Sequence, residues 1–250
     1  MHIYNEDFYD YQYVGSLKSA EIIINILLDY LELSSVLDVG CGVGPWLKVY
    51  KSKGASVIGI DGDYVNKQKL LFDEADFIPA DLKQGVSLNK IFSMAQSLEV
   101  AEHIPEAYAD RFVQTLVDHS ECVLFSAAVP GQGGEDHVNE RPLEYWRKKF
   151  EKKGYIPFDL IRPLVEQSAN KGQVEKWYRY NSILYIKKNT SLAKSEKLKP
   201  FIIEDSTPLK IYSDFLWSLR KMAVRWMPAV ISTAIAKVNA SRIAFMRRSG

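Results

Sequence analysis

The chain alternates between segments whose apolar residues recur with a helical period and short apolar runs of strand length. Residues 16–32 predict an amphipathic helix because apolar side chains recur at 3.6-residue spacing; they are Ala20, Ile23, Ile24, Leu27, Leu28 and Leu31. Helices are also predicted over residues 105–118 and 142–153. Seven apolar runs predict strands: one beginning at Val36, then residues 56–61, 76–80, 91–98, 122–127, 155–161 and 182–187. Strands that alternate with helices favour an α/β fold with a parallel, doubly wound sheet.

A glycine-rich turn follows the first predicted strand, in the sequence V-L-D-V-G-C-G-V-G. Gly40, Gly42 and Gly44 lack β-carbons, so the chain can turn tightly there and its backbone N–H groups can approach a ligand. A dinucleotide fingerprint requires Gly or Ala at the sixth position of G-x-G-x-x-G/A, and Pro45 occupies that position. The turn therefore predicts a cofactor loop, and Pro45 disfavours NAD and FAD as the ligand.

Three acidic residues stand at the ends of the first three predicted strands. Asp38 places a carboxylate where it would bind an amino group and repel a pyrophosphate. Asp61 is at the position from which an acid commonly accepts the ribose hydroxyls of an adenosine cofactor. Asp81 is placed to accept a hydrogen bond from an adenine amino group. Together these acids favour S-adenosylmethionine (SAM) as the cofactor.

Further residues are assigned to the same predicted cofactor site. Lys18 and Ser19 would reach the SAM carboxylate if the first helix starts near the cleft. Neighbours of the loop and of the strand ends complete the site: Cys41, Gly62, Leu82 and Ser97. An aromatic segment before the helix, with Phe8, Tyr9, Tyr11 and Tyr13, is either a flap over the cofactor or a satellite of the core.

Five motifs accompany the strand-end acids: G-S-L-K-S-A at 15–20, D-G-D-Y-V at 61–65, S-L-E-V-A-E-H-I-P at 97–105, S-A-A-V-P-G-Q-G-G at 126–134 with H-V-N-E after it, and W-Y-R-Y-N at 177–181. With them the chain resembles the class I SAM-dependent methyltransferases over residues 34–187. Within that superfamily it resembles a bacterial group associated with surface-polysaccharide and small-metabolite tailoring. The resemblance implies a Rossmann-like sheet of seven strands, in which strand seven runs antiparallel between the last two.

Composition and charge divide the chain into four parts. A length of 250 residues with 47% hydrophobic content suits one α/β domain and an appendage. We predict an N-terminal flap and helix at 1–33, the SAM-binding core at 34–188, a polar linker at 189–208 and a basic amphipathic helical tail at 209–250, kinked at Pro228. Residues 191–250 carry 11 Lys or Arg and 4 acids, whereas residues 1–190 carry 21 and 27.

This charge asymmetry bears on partners. An acidic body is not expected to bind nucleic acid through a broad basic face. The basic tail has three open interpretations: it lies on a membrane surface, forms a homodimer or packs on its own domain. The N-terminus lacks a basic and then apolar leader, and no apolar run reaches transmembrane length, so we expect a cytoplasmic protein. Cys41 and Cys122 fit buried thiols in a reducing compartment.

Candidate catalytic residues follow the fourth and fifth predicted strands. If the turn after strand four is helical, Glu99, Glu102 and His103 lie on one face, and His137 arrives on the loop after strand five. In one interpretation, His103 or His137 is a general base oriented by a carboxylate such as Glu102. In another, all four residues bind Mn²⁺ or Mg²⁺; the E-x-x-E-H…H order resembles the metal ligands of the small-RNA 2'-O-methyltransferases. A purely structural role is the third. The remaining histidines, His2 and His119, are expected at the surface.

Candidate acceptor-binding residues are Trp177, Tyr178 and Arg179, just before strand seven, and Arg141, after strand five. An aromatic ring beside an arginine suits a sugar, a nucleotide or a phosphate; the alternative is an aromatic core plug. From the resemblance we expect methyl transfer from SAM to an oxygen of a sugar, nucleotide-linked sugar or phosphate-bearing precursor of surface polysaccharide. The alternatives are N-methylation of a small amine, and a non-catalytic SAM-binding interaction protein.

Overall fold

The computed structural model describes the backbone of residues 6–225 and the side chains of residues 15–224. Its centre is a seven-stranded sheet in the order β3-β2-β1-β4-β5-β7-β6. The strands are β1 (Ser35–Val39), β2 (Ser56–Asp61), β3 (Phe77–Pro79), β4 (Met94–Leu98), β5 (Cys122–Ser126), β6 (Tyr155–Phe158) and β7 (Ile183–Lys187). All neighbours are parallel except β7, which runs antiparallel to both β5 and β6. The α/β, Rossmann-like architecture with an antiparallel seventh strand is therefore confirmed.

Seven α-helices accompany the sheet within residues 6–225. They are α1 (Glu6–Tyr30), α2 (Pro45–Ser52), α3 (Ala109–His119), α4 (Leu143–Lys152), α5 (Ile161–Gln167), α6 (Lys176–Asn181) and α7 (Phe215–Arg225). Apolar residues of α1, α2 and α5 form one core with the sheet, and those of α3 and α4 form a second. Successive residues of β1 contribute to opposite cores, Val36 to the first and Leu37 to the second. Apolar burial on both faces is why the strands appear in the sequence as short apolar runs.

Several boundaries differ from the predicted ones. The helix predicted over 16–32 already begins at Glu6, so the aromatic segment predicted as a flap is helical, although its side chains lie outside the described residues. Strand six ends at Phe158 rather than at 161, because the chain turns at Asp159 and begins α5 at Ile161. The tail helix begins at Phe215 rather than at 209, and Pro228 and His2 lie outside the described residues.

The segment 189–208, predicted as a polar linker, is packed against the sheet. Ile202 forms an antiparallel bridge with Phe158 at the edge of β6, and the Ile203 N–H donates to the Pro157 carbonyl at 3.0 Å. Leu198 is fully buried. Two buried arginines hold the end of this segment and the residues just after it. Arg147 donates to the carbonyls of residues 204 and 207, and Arg162 donates to the carbonyl of residue 210. Buried apolar and guanidinium groups therefore bind the segment to the core.

His119 is buried, which corrects the expectation that it lies at the surface. Its Nε2 accepts a hydrogen bond from the Leu88 N–H at 2.9 Å, so the proton is on Nδ1, which faces the Thr115 carbonyl at 2.6 Å. Cys41 and Cys122 are buried free thiols, as predicted. No helix within the described range combines the length and the apolar composition that a bilayer span requires.

We predict that Arg162→Ala destabilises the fold strongly. Its guanidinium donates from Nε and Nη2 to the two carboxylate oxygens of Asp159, at 2.7 and 2.8 Å, and both side chains are buried. Removing one partner leaves a buried charge unpaired, which typically costs about 3–5 kcal/mol. Urea unfolding followed by tryptophan fluorescence measures the loss. The control Lys67→Ala removes an exposed ion pair with Glu74 and should cost less than about 1 kcal/mol; equal losses would contradict the prediction.

Candidate active site

Two adjoining cavities open at the carboxyl ends of the parallel strands, where open α/β sheets bind their ligands. The larger, of about 750 Å³, is bounded by the loop after β1, the ends of β2 and β3, and the turn after β4. The smaller, of about 120 Å³, lies between the loop after β1 and the helices α1 and α6. Gly40, Gly42, Glu99 and Val100 line both cavities. A single ligand can therefore extend from one cavity into the other past these four residues.

The loop after β1 is held by β2. The N–H groups of Gly40 and Cys41 donate to the Ile60 carbonyl at 2.7 and 3.2 Å, and the Gly42 N–H donates to Asp61 Oδ2 at 2.7 Å. In this structure these three N–H groups are used within the protein, while Gly40 and Gly42 line both cavities and Cys41 lines the smaller one. Gly40 has φ +88°, and a β-carbon there would lie 2.4 Å from a Val100 methyl. Glycine is therefore required for the close approach of the two loops.

Asp61 and Gly62 line the larger cavity at the position predicted for the ribose. Asp61 is buried, and its Oδ1 accepts hydrogen bonds from the Gly62 N–H at 2.7 Å and the Tyr64 hydroxyl at 2.6 Å. Burial raises the pKa of Asp61, although Tyr64, Gly42 and Gly62 act in the opposite direction. A ribose hydroxyl at this carboxylate would share it with Tyr64.

Asp81 and Leu82 also line the larger cavity, beyond the end of β3. Leu82 is buried, whereas the Asp81 side chain is half exposed and its Oδ1 accepts the Lys83 N–H at 3.0 Å. An apolar side chain beside an accessible carboxylate suits the flat ring and the amino group of adenine. Both predicted residues are therefore where an adenine would lie if the ribose is at Asp61.

The smaller cavity contains Asp38 and Cys41, together with Trp177 and Tyr178 from α6. Burial raises the pKa of Asp38 to about 7; Gln96 opposes this shift and Asp61 adds to it. The Tyr178 hydroxyl lies 3.1 Å from Ser16 Oγ, and the Tyr178 ring meets Trp46 edge to face. The two aromatic residues that we assigned to the acceptor thus lie beside Asp38, where the amino-acid end of SAM is predicted.

Three other predicted residues do not line either cavity. Ser97 is fully buried and donates to the Val39 carbonyl at 2.7 Å. Lys18 is exposed and pairs with Glu21 at 3.0 Å, and Arg179 pairs with Glu166. Because α1 begins well before Lys18, that residue lies inside the helix, and Ser16 lines the smaller cavity instead.

Arg141, the fourth residue assigned to the acceptor, is near the larger cavity but already paired. It forms an ion pair with Glu106 and donates to Asn139 Oδ1 at 2.9 Å. Glu106 follows Pro105 and Asn139 follows Val138, and both Pro105 and Val138 line the larger cavity. Arg141 therefore lies near the rim and joins the turn after β4 to the loop after β5.

Glu102, His103 and His137 come together next to the larger cavity. One ligand atom from each lies within 4.8 Å of the other two, and the two imidazole rings are 4.9 Å apart and perpendicular. The Glu102 carbonyl accepts the N–H groups of both Val138 and Asn139 at 2.9 Å. These two bonds fix the loop that carries His137 against the short helical turn that carries the other two residues. The predicted meeting of both histidines is confirmed.

His103 is the member of this cluster that lines the larger cavity. Its Nδ1 lies 3.3 Å from the Asp136 carbonyl, which can only accept, so Nδ1 carries the proton and Nε2 has a free lone pair. Burial, followed by the nearby His137, lowers the pKa of His103 to about 4. The ring is therefore neutral at neutral pH and can accept a proton at Nε2.

His137 is oriented by Glu140, a residue that the sequence analysis did not assign to the site. His137 Nδ1 donates to Glu140 Oε1 at 2.8 Å, which turns Nε2 toward Glu102 Oε1 at 4.0 Å. Glu140 also accepts the N–H groups of Gly131 and Gly133 at 2.8 and 2.7 Å. Burial alone would raise the pKa of Glu140, but His137 and these two N–H groups lower it. The Glu140 carboxylate thus orients the His137 ring and also holds the loop at Gly131 and Gly133.

Glu99 is separate from this cluster, although we had predicted it as a fourth metal ligand. Its Oε2 accepts from Gln132 at 2.6 Å, and its Oε1 accepts from Asn181 at 3.3 Å. Glu99 has φ +57°, an uncommon value for a residue with a β-carbon. Burial raises its pKa, against the hydrogen bonds of Gln132, Ser126 and Asn181. Glu99 thus lines both cavities, and its carboxylate is held by Gln132 and Asn181 rather than by the histidine cluster.

Glu102 is the most buried acid of the site. Its side chain is about 1% exposed, and Oε2 has no hydrogen-bond partner among the described residues. Burial and the proximity of Glu99 raise its pKa well above the usual range. A buried carboxylate oxygen without a partner is costly, so its place beside two histidines suggests that a proton or a cation completes the cluster.

Comparison with known proteins supports the interpretation of the fold. A family model described as "Methyltransferase domain" matches residues 18–161. No curated protein matches the chain. Among solved structures, the sugar N-methyltransferase KedS8 from Streptoalloteichus sp. is 13% identical, with 68% of this chain and 87% of that chain covered and a TM-score of 0.54.

Two further structures are similar. Magnesium protoporphyrin IX methyltransferase from Synechocystis, with bound SAH, is 19% identical (70% of this chain and 84% of that chain; TM-score 0.50). An O-methyltransferase family protein from Burkholderia thailandensis is 10% identical (72% and 58%; TM-score 0.54).

The sheet order and the cavities at its carboxyl edge define a Rossmann-like α/β protein of the methyltransferase type. Because the family match covers more than half of the chain, the protein belongs to the methyltransferase domain family. The structural similarities, all at low identity, establish the fold and leave the acceptor open.

We predict that SAM affinity falls as the pH drops below about 7. The carboxyl group of Asp38, whose pKa is about 7, must be ionised to bind the cofactor's amino group, and protonation at lower pH removes that charge. Below the pKa the dissociation constant should rise about tenfold per pH unit, whereas near pH 7 the affinity should level off, and close to pH 8 the cofactor's own α-amino group begins to lose its proton. Calorimetric titration with SAM from about pH 8 to about pH 5 measures this change.

The control is Asp38→Asn. This variant should bind SAM weakly with no slope below pH 7, since the titrating group has been removed. A slope that persists unchanged in Asp38→Asn would assign the pH dependence to another group, such as Asp61, and contradict the role of Asp38.

Proposed function

We propose that this protein is a SAM-dependent O-methyltransferase that acts on a small polar acceptor. The observation that carries the proposal is the junction of the two cavities at Glu99 and Val100, beside His103. An adenosyl group at Asp61 and an amino-acid end at Asp38 place the sulfonium at this junction. The methyl group would then face the part of the larger cavity that His103 lines.

The cofactor would be held by residues from the ends of β1, β2 and β3 and from helix α6. Asp38 pairs with its amino group, Tyr178 and Trp177 enclose the same end, and Asp61 accepts the ribose hydroxyls. Asp81 and Leu82 receive the adenine. This distribution uses Asp38, Asp61 and Asp81 in the roles that the sequence suggests.

His103 is the proposed general base. The acceptor oxygen attacks the methyl carbon, the sulfur–methyl bond breaks with its electron pair returning to sulfur, and the hydroxyl proton moves to His103 Nε2. The products are the methyl ether and S-adenosylhomocysteine. A ring with a pKa near 4 can serve because the attacking oxygen becomes strongly acidic as the methyl group is transferred.

The proposed acceptor class is a sugar, a nucleotide-linked sugar or a phosphate-bearing precursor of surface polysaccharide. Its support is the resemblance of the motifs at 97–105, 126–134 and 177–181 to a bacterial tailoring group. The opening of the larger cavity also offers the half-exposed Tyr64 ring, a surface on which a sugar could stack.

We predict that His103→Ala lowers turnover while SAM binding is retained. Loss of a general base typically costs about 10²- to 10⁴-fold in rate. Formation of S-adenosylhomocysteine, measured with a panel of sugars, nucleotide sugars and amines, tests this prediction and distinguishes O- from N-methylation. His119→Gln is the matched control: it removes a structural histidine and should lower stability more than turnover. Wild-type protein that binds SAM without turnover on any acceptor would favour the non-catalytic alternative.

A second proposal concerns a divalent cation held by Glu102, His103 and His137. Two observations favour it: the three ligand atoms lie within 4.8 Å of one another, and Glu102 Oε2 has no protein partner among the described residues. Carboxylate oxygen and imidazole nitrogen suit Mn²⁺, and harder Mg²⁺ less well. A bound cation would bind acceptor oxygens and lower the pKa of the nucleophile. Glu140 would then orient His137 from behind, as carboxylates commonly do for metal-binding histidines.

The cation proposal predicts that EDTA abolishes turnover and that added Mn²⁺ restores it. Calorimetry with Mn²⁺ alone should show one site in the wild type, and His137→Ala should lose it. Glu99→Gln should keep it, since Glu99 is not part of the cluster. Full turnover in EDTA, with no heat on Mn²⁺ addition, would leave His103 to act as a metal-free base.

A further inference from the structure

The helix α7 is anchored to the domain along one side. Trp217 is about 5% exposed and packs next to Tyr180 of α6. Asp214 caps the helix by accepting the Trp217 N–H at 2.7 Å, and Lys176 and Tyr180 of α6 bind the same carboxylate at 2.7 and 3.1 Å. The start of α7 is therefore fixed relative to the sheet.

The opposite side of α7 exposes large apolar side chains. Phe215, Leu216 and Met222 are 75%, 71% and 65% exposed, and Leu219 lies between them at 46%. Together with Ile211, these account for five of the nine exposed large hydrophobic residues among the described side chains. We call the four helical residues, Phe215, Leu216, Leu219 and Met222, the α7 apolar face. A concentrated apolar surface of this kind typically marks an interaction site.

From the start of α7 onward, all charged residues of the sequence are basic. From Phe215 to the end of the chain there are seven Lys or Arg residues and no Asp or Glu. Arg220 lies over the Trp217 ring, 4.9 Å from its centroid, at the boundary between the anchored side and the exposed side. Two basic α7 helices placed face to face would bring like charges together, whereas an anionic bilayer would attract the basic residues and its interfacial layer would accept the apolar face.

The end of α7 lies against the loop after β5, which carries His137. Val224 is so close to Gly133 that a β-carbon at Gly133 would lie 2.7 Å from a Val224 methyl. The Gly133 N–H donates to Glu140, and Glu140 binds His137. A surface bound to the α7 apolar face would therefore lie next to the loop that carries His137.

We propose that the α7 apolar face, together with Arg220 and Lys221 of the same helix, docks on a bilayer surface that carries anionic headgroups. The apolar side chains enter the interfacial layer, and the basic residues pair with the headgroups. This docking needs neither SAM nor turnover, so it stands or falls independently of the proposed activity.

Vesicle flotation of the full chain tests the proposal. Phosphatidylcholine vesicles are compared with an equimolar mixture of phosphatidylcholine and phosphatidylglycerol. We expect binding to the anionic vesicles that is at least about tenfold tighter than to the neutral ones and that weakens with salt. Equal binding to both vesicle types, or no binding to either, would overturn the proposal.

Matched variants locate the contact. Leu216→Asp and Met222→Asp should each weaken vesicle binding about tenfold or more, since each places a charge in the interfacial layer. Ile91→Asp is the control: it is equally exposed, at 68%, but lies just before β4, and should leave binding unchanged. Lys221→Glu should weaken binding at least fivefold. A control that weakens binding as much as Leu216→Asp would refute the location.

Two measurements test whether the α7 apolar face is covered by something other than a bilayer, either a second copy of the chain or another part of the same chain. Light scattering that shows a dimer in the wild type and a monomer in Leu216→Asp would assign the face to a second copy of the chain. If Leu216→Asp has a lowered unfolding midpoint and the wild type does not bind vesicles, the α7 apolar face is covered by the protein's own chain. Retained SAM affinity in all variants confirms that they are folded.

Discussion

The end of β2 fixes the shape of the whole site. Three successive N–H groups of the loop after β1 bond to Ile60 and Asp61, and this places the bend that separates the two cavities. Parallel pairing of β1 with β2 sets the register in which these donors meet their acceptors. A buried carboxylate at the tip of β2 is therefore first a structural acceptor for the loop, and only then a candidate ligand for ribose.

A second constraint joins the turn after β4 to the loop after β5. The Glu102 carbonyl accepts two N–H groups from that loop, and Arg141 adds an ion pair with Glu106. Glu140 then orients His137 from within the same loop. Two histidines that are distant in sequence are thus brought together mainly by backbone carbonyls and carboxylates, so the position of each ring depends on both loops.

The strands of the sheet could be predicted from the sequence, since strands buried on both faces appear as continuous apolar runs such as 122–127. The sequence was also sufficient for the strand-end acids and for the meeting of His103 with His137, because the carboxyl ends of parallel strands share one edge. It did not indicate the bonds of Glu99 with Gln132 and Asn181, which join three distant segments. The three-residue spacing of His137 and Glu140 was the only local signal for that pair. The packing of 189–208 was missed because Arg147 binds backbone carbonyls of this segment, a type of bond that no residue pattern records.

The antiparallel seventh strand has a consequence for how the molecule comes to be assembled. During synthesis β6 emerges before β7, yet its only strand-to-strand partner within the described sheet is β7. Five strands can associate as they appear, whereas the sixth must wait for β7, which follows only after α5 and α6. Asn181, which contacts Glu99 at the junction of the cavities, arrives at the end of α6, just before β7. A nascent chain can therefore complete the cleft only after β7 has emerged, whereas the loop after β1 can already bond to β2 before that point.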